Sequence, residues 1–387
     1  MKLKLTKYNI FLVLFFLYFI PRYFEYTTYT QIDSFAKGIV ILKSISYVLS
    51  IIYWIMLQFS NKIKIRYLIL EIVILGYFSY EAFIKNRNTI FVVILFALIF
   101  PIGYYEDYLK KVLNVSIILY IFTLVSCSMG IIQNVNGQGQ KFGDEVVRFG
   151  MGFTYSGQMV MMLIPIVFLY FYVRKKNATL LEGIVWLVIN GIVFNYCKTI
   201  MGAVLITIYI ILFFLLKLIH KKNLLKKSIF VRFSPIIFLL TTLIILYLRR
   251  IGSVFALVVD AICSYRFNVG NIMIDTYGVK LFGTRFTDNT DYYYEILDSE
   301  YVHMLVGEGI VYLIIAIIIS CVLMWFLQTK KDTNLILIFT LIFLNGIVNN
   351  GIFNLVMNPF IIIINEAFIE FISKNRNKNL IVIKSEK

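Results

Sequence analysis

Charge is scarce in this chain. Only 15% of its 387 residues are Asp, Glu, Lys or Arg, 60% are hydrophobic, and the mean hydropathy is +0.84. A soluble domain carries about 25% charged residues, so no water-soluble fold hides this much apolar surface. The chain reads as an integral membrane protein. Histidine is nearly lacking, with only His220 and His303, and no metal-ligand spacing accompanies them. That argues against a metal site. No glycine-rich nucleotide motif stands out, and no cofactor is expected. The four cysteines, Cys127, Cys197, Cys263 and Cys321, show no CxxC spacing. They read as small hydrophobes, with one disulfide among the three outer ones left open. Internal repeats and paired Gly/Pro-broken helices, the usual trace of a secondary transporter, are also lacking.

What the chain does have is one apolar segment after another. A spanning helix needs about 20 mostly apolar residues. On that ruler the candidates lie near 8–24, 38–58, 67–84, 89–104, 112–132, 151–173, 183–197, 199–219, 232–248, 303–327, 335–354 and 358–373. The fold class is therefore an all-α polytopic membrane protein, a single domain over 1–387 with about twelve spans. The basic start Met1–Tyr8 resembles a signal peptide. No A-x-A site follows, and Pro21-Arg22 ends the run, so it reads as a first spanning helix.

Net charge is +16. The cations sit in short clusters between apolar segments rather than in a base-reading stripe, so nucleic acid is not an expected partner. Lys62/Lys64/Arg66, Lys110/Lys111, Arg174–Lys176, His220–Lys227, Lys330/Lys331 and the tail from Lys374 all fall on one side if the N-terminus is cytoplasmic. An even span count with both ends inside fits the positive-inside rule, and Lys85 and Arg87 alone look misplaced. The long polar interval 249–302 then lies outside the cytoplasm. It holds five basic residues against seven acids, net −2, in an otherwise basic protein. Val254, Leu257, Val258, Ala261, Ile262 and Tyr265 recur at helical spacing, which predicts one or two short amphipathic helices on the membrane surface over 252–277.

Several residues here and nearby carry chemistry. Arg266, in Ser264-Tyr265-Arg266-Phe267-Asn268, presents the planar fork that grips phosphate; head-group snorkelling is the plain alternative. Arg285 follows Gly283 in a turn, and Arg249 and Arg250 read as anchors. Arg148 opens a run with Gly150, Gly152 and Gly157, where backbone amides can approach a ligand or where helices merely turn. Lys198 sits between two helices, either at the lip of the bundle or in water. Asp298 and His303 flank the start of the tenth helix. Asp298, or Ser299 in its place, can N-cap that helix, and His303 can deprotonate a sugar hydroxyl or sit plainly at the interface. Tyr292–Tyr294 offer rings for sugars or for an interfacial belt. Glu366 and Glu370 share a helix face and suit pairing with cytoplasmic lysines.

The order of these features resembles the O-antigen and capsule polysaccharide polymerase (Wzy-type) family, with the related O-antigen ligases behind it. The likeness rests on Arg148–Gln158, Lys198–Gly202, Arg266 followed by Leu281-Phe282-Gly283, and Asp298–Gly309. Members often have arginine where this chain has Lys198 and asparagine where it has Ser299. The resemblance implies a glycosyltransferase of the bacterial cytoplasmic membrane with an extracytoplasmic active site. It would join oligosaccharide repeat units carried on undecaprenyl pyrophosphate. Arg148, Arg266, Arg285 and Lys198 would hold pyrophosphate, and Asp298 and His303 would orient or deprotonate the acceptor. Membrane lipid, a chain-length regulator and a flippase are the further partners it implies. A ligase of the same chemistry, or a flippase or other transporter, is the competing expectation.

Overall fold

The computed structural model describes residues 6–60, 65–84, 89–141, 144–218, 225, 227–284 and 298–374. Arg285 and the acidic tyrosine run Asp288–Glu295 lie outside the described residues. The architecture is a helical bundle. In chain order it comprises α1 (Lys7–Phe24), α2 (Asp33–Ser60), α3 (Ile65–Ile84), α4 (Thr89–Ile99) and α5 (Tyr105–Ser128). A hairpin of β1 (Asn136–Lys141) and β2 (Asp144–Phe149) follows, then α6 (Ser156–Arg174), α7 (Leu180–Cys197) and α8 (Ile200–Leu218). The second half contains α9 (Ile229–Arg232), α10 (Ser234–Arg250), α11 (Val254–Ile262), α12 (Arg266–Tyr277) and α13 (Glu300–Val302). It closes with α14 (Ile310–Lys330), α15 (Thr333–Asn345) and α16 (Ile364–Lys374).

Among the described residues six helices are long and apolar enough to cross a membrane, namely α2, α5, α6, α7, α8 and α14, and the bent pair α10–α11 makes a seventh if counted as one span. Apolar stretches of α3, α4 and α15 are shorter than a full crossing. The chain is thus a membrane-embedded all-α protein. Its lipid-facing surface is legible in the exposed apolar side chains along α2, where Val40, Ile41, Val48, Ile52, Met56 and Phe59 point outward. By contrast α6 is apolar on all sides and buried on nearly all of them, as a central helix must be. It packs against α5, α7, α8 and α15. Gly202 of α8 lets the two backbones close up, since a Cβ there would lie 2.6 Å from Val160.

Local signals explain several boundaries. Thr179 and Glu182 form a reciprocal capping box at the start of α7, and Asp332 caps α15 through Leu335 N–H at 3.1 Å. The α10–α11 bend of 118° falls at Gly252, whose φ of +74° suits glycine. Beyond it, α11 and α12 are the two short helices expected over 252–277.

Other expectations need correction. The interval 133–150 holds a β-hairpin, because Asn136–Lys141 and Asp144–Phe149 alternate in a polar ribbon rather than entering lipid. The tenth helix does not start at 303: α13 passes into a π turn, His303–Glu308, breaks at Gly309, and resumes as α14. Asp298 is not its cap, and neither is Ser299, which occupies the N-cap position without a side-chain capping bond. Asp298 is turned instead toward Arg266. The eleventh helix stops at Asn345 rather than 354, and the twelfth is a 3-10 turn, Pro359–Ile363, before α16. All four cysteines are free. The α16 carboxylate Glu370 does pair with a lysine, Lys330, at 3.3 Å.

The Gly309 break is sealed by backbone. Lys280 O and Leu281 O accept from Ile310 N–H and Val311 N–H at 3.1 Å each, and Thr284 N–H donates to Gly307 O at 3.0 Å. The strand-like passage Lys280–Thr284 thereby satisfies donors that open the first turn of α14. No side chain fits between: a Cβ on Gly283 would lie 2.0 Å from Gly307 O, and one on Gly309 would lie 2.2 Å from Gly283 N. We therefore expect Gly283→Ala and Gly309→Ala each to destabilise the detergent-solubilised protein by roughly 3 kcal/mol or more. Gly278→Ala, which also has positive φ but meets open space, should lose only about 1–2 kcal/mol. Thermal unfolding reads the difference, and equal shifts for the three would contradict the seal.

Candidate functional site

The strongest local anomaly is the chain between α15 and α16. At 13 residues, α15 is about 20 Å long, well short of the roughly 30 Å hydrocarbon layer. The next stretch, 346–358, is irregular yet almost wholly buried. Buried non-helical backbone must be satisfied by protein or line a wet cavity. Here five asparagines, Asn345, Asn349, Asn350, Asn354 and Asn358, recur within an apolar sequence. Asn354 Oδ1 accepts from Val356 N–H at 3.0 Å, and Asn358 Nδ2 donates to Ile352 O at 2.7 Å. Asn349 Nδ2 donates to Asn345 Oδ1 at 2.7 Å. Side-chain amides stand in for the missing helical bonds. A cavity of about 20 Å³, room for one water-sized molecule, lies between this turn, α6 and α8, lined by Asn345, Asn349, Asn350 and Gly351 among others.

Three charged side chains converge on the turn. Arg266, at the start of α12, donates through Nη1 to Val348 O and, at 2.7 Å, to Asn349 Oδ1. Its Nη2 pairs with Asp298 Oδ2 at 2.7 Å. Glu300, two residues on, is buried and accepts from Gly351 N–H, while its own N–H donates to Gly346 O at 3.0 Å. Burial pushes the Glu300 carboxyl up to about 7, against the pull of the Gly351 and Ile352 amides. Burial likewise raises the Asp298 carboxyl, with Arg266 opposing. Tyr155, just before α6, belongs to the same neighbourhood. Burial, then the Asp298 charge, hold its phenol above the ordinary range, and Arg266 and Tyr26 also act on it. Its ring is nonetheless 46% exposed.

The remaining expected site residues fall nearby or elsewhere. Arg148 is on β2 opposite Gly137, and its Nε is buried with no hydrogen-bond partner. Phe149, its neighbour, meets the Tyr196 ring edge-on at 6.4 Å. Tyr196 lies two residues before Lys198, so the hairpin and the α7–α8 turn form one corner. Lys198 takes the left-handed C-cap position with φ +51°, and its Nζ donates to Asn195 Oδ1 at 2.6 Å. The glycines after Arg148 serve the protein itself. Gly152 O accepts from Thr28 N–H at 2.8 Å, and Thr154 N–H donates to Tyr26 O at 3.1 Å, docking this turn on the end of α1. His303 is half-buried on the π turn, its N–H bonded to Ser299 O at 2.8 Å. The structure thus brings Arg266 and Asp298 into contact, while Arg148 and Lys198 are related only through their neighbours Phe149 and Tyr196. Arg285 lies outside the described residues. Arg249 and Arg250 pair with Asp260 and Asp275.

No protein-family model, curated protein or solved structure matches the chain. The site's chemistry stands on its own residues. Glu300 and the asparagine turn were missed by sequence reasoning. The signal was present in Asn-Gly-Ile-Val-Asn-Asn-Gly-Ile-Phe-Asn, since polar residues within an apolar segment mark function by default. Chemically, the cluster offers one carboxylate oriented by a guanidinium and one that exchanges a proton near neutrality, the range a general base needs.

The raised Glu300 value fixes a sign. The folded protein holds a proton here that the unfolded chain releases near pH 4.5, so this contribution to stability is complete below about 4.5 and is lost as pH rises through about 7. A shift of that size amounts to on the order of 3 kcal/mol. Thermal stability measured from pH 4 to 8 should therefore fall less steeply in Glu300→Gln than in wild type. Parallel curves would contradict the assignment.

Proposed function

We propose that the protein is a membrane glycosyltransferase that polymerises oligosaccharide repeat units carried on undecaprenyl pyrophosphate, at the outer face of a bacterial cytoplasmic membrane. The observation that carries this reading is the pair of carboxylates two residues apart, Asp298 held by Arg266 and Glu300 buried against the asparagine turn. The reaction asks for little else. An acceptor hydroxyl oxygen attacks the anomeric carbon, its proton passes to a carboxylate, and the bond from that carbon to pyrophosphate oxygen breaks. Glu300 is the base of first choice because burial keeps its proton affinity near neutral pH. His303, on the adjoining π turn, is the second. The departing pyrophosphate develops negative charge, which preorganised cations stabilise. In this reading Arg148, Lys198 and Arg285 supply that charge, and Arg266 orients Asp298. A chain-length regulator and a flippase would work beside it.

A ligase transferring a finished glycan would use the same groups on a different acceptor. A transporter is favoured by one specific feature, the interrupted backbone at 346–358, since broken helices line substrate paths in such proteins.

Purified protein in nanodiscs, given synthetic undecaprenyl-pyrophosphate-linked repeat units, should produce a polymer ladder. Glu300→Gln should slow chain growth by about 10²–10³-fold, the range of a lost general base, and His303→Gln should have a smaller effect. Undiminished ladders with Glu300→Gln would remove Glu300 from the chemistry. Translocation of the lipid across vesicles without any ladder would replace the polymerase reading with the transporter.

A further inference from the structure

A second charged cluster lies on α1 and α2, outside every residue discussed so far as a site. Arg22 and Lys43 both pair with Glu25, so two cations share one carboxylate and the cluster is net positive. Their side chains are only 23% and 13% exposed. Lys43 stands ten residues into α2, an apolar helix of spanning length. A cation inside such a helix is costly and is kept for pairing or function. Helix-end electrostatics account for Arg22, in the last turn of α1, but not for Lys43. Glu25 balances one charge and leaves the other. The Arg22 Nε is moreover buried with no hydrogen-bond partner, and a guanidinium with donors to spare is suited to phosphate oxygens.

Two further observations say what the anion is attached to and where it leads. An apolar groove of about 540 Å³ runs along α1, lined by Val13, Phe16, Leu17 and Ile20 with Leu42 of α2 and Lys111 of α5, whose charge Asp107 balances at 2.9 Å. It reaches Pro21 and Leu42, the residues immediately before Arg22 and Lys43, which themselves stand outside its lining. Its size matches ordinary ligand sites, and its lining suits a hydrocarbon chain. From the other side, the Arg22 guanidinium lies over the Tyr26 ring, 5.1 Å from its centre. Tyr26 Oη accepts from Asn354 Nδ2 of the asparagine turn, and its carbonyl binds Thr154 N–H, next to Tyr155. The cluster is therefore linked through Tyr26 to the asparagine turn that Arg266 also holds.

We propose that the α1–α2 groove and the Arg22–Lys43 pair form a binding site for a polyisoprenoid diphosphate, its chain in the groove and its phosphates on the two cations. This rests on the polymerase reading for the identity of the lipid. A reaction between two lipid-linked glycans needs two diphosphate sites, and this one is built from residues other than Arg148 and Lys198. An ordinary anionic phospholipid offers the same headgroup charge but has no reason to be preferred by a site joined to the asparagine turn.

The test is photo-crosslinking of full-length protein in nanodiscs with undecaprenyl diphosphate carrying a diazirine on its chain. Label should concentrate on peptides containing Val13 and Leu17. Unlabelled undecaprenyl diphosphate should compete at least tenfold better than undecaprenol or phosphatidylglycerol. Arg22→Gln/Lys43→Gln should lower the yield at least fivefold. Val13→Trp should do the same by filling the groove from an exposed position that leaves the core and the ion cluster intact. Equal competition by phosphatidylglycerol, label spread evenly over the lipid-facing helices, or full yield in both variants would overturn the proposal. Specific labelling without any polymer ladder would leave this site standing and remove the polymerase reading instead.

Discussion

The guanidinium of Arg266 is the tie on which the second half of the molecule depends. One end of it holds Asp298, the other holds Val348 O and Asn349 Oδ1. Three stretches distant in sequence, the surface helix α12, the approach to α13 and the buried turn after α15, are thereby fixed against one another. Breaking one partner of such a buried charged contact leaves the others desolvated and unsatisfied, which is why it constrains geometry more than its own strength suggests.

That constraint matters because the turn it holds is irregular backbone buried inside the bundle. Between Gly346 and Asn358 the chain keeps only isolated helical bonds, such as Asn349 N–H to Asn345 O and Asn358 N–H to Asn354 O, and nearly every residue is buried. Asparagine amides, Glu300 and Arg266 supply the missing partners. The same arrangement leaves polar groups beside a small cavity and buries a carboxylate that titrates near neutrality. Structural need and chemical capacity thus arise from one device. The Gly309 break works in parallel, turning α13 back toward the site while Lys280–Thr284 closes the exposed backbone.

Long-range organisation was readable in the chain because hydrophobic length and charge placement are local, additive signals. The apolar runs and the two short helices after Gly252 were visible in this way, and Arg266 and Asp298 stood out as isolated charges. Their pairing was not: 32 positions separate them, and Asp298 looked like a helix cap because its short carboxylate precedes an apolar run. Glu300 was passed over as one acid among seven, since burial rather than type sets its behaviour. A turn near Asn349–Asn358 was legible, but not the hydrogen bonds its buried amides make. The Arg22–Glu25–Lys43 cluster was hidden for the opposite reason, as each member looked like an ordinary charge near a helix end. The hairpin 136–149 lacked the apolar alternation by which strands are usually found.

Amide hydrogen exchange across 346–358, compared between wild type and Arg266→Gln in nanodiscs, tests the central claim most directly. Loss of the guanidinium should lower protection at Val348 through Met357 by at least tenfold while α5 and α14 remain unchanged. Unaltered protection in that turn would contradict the account.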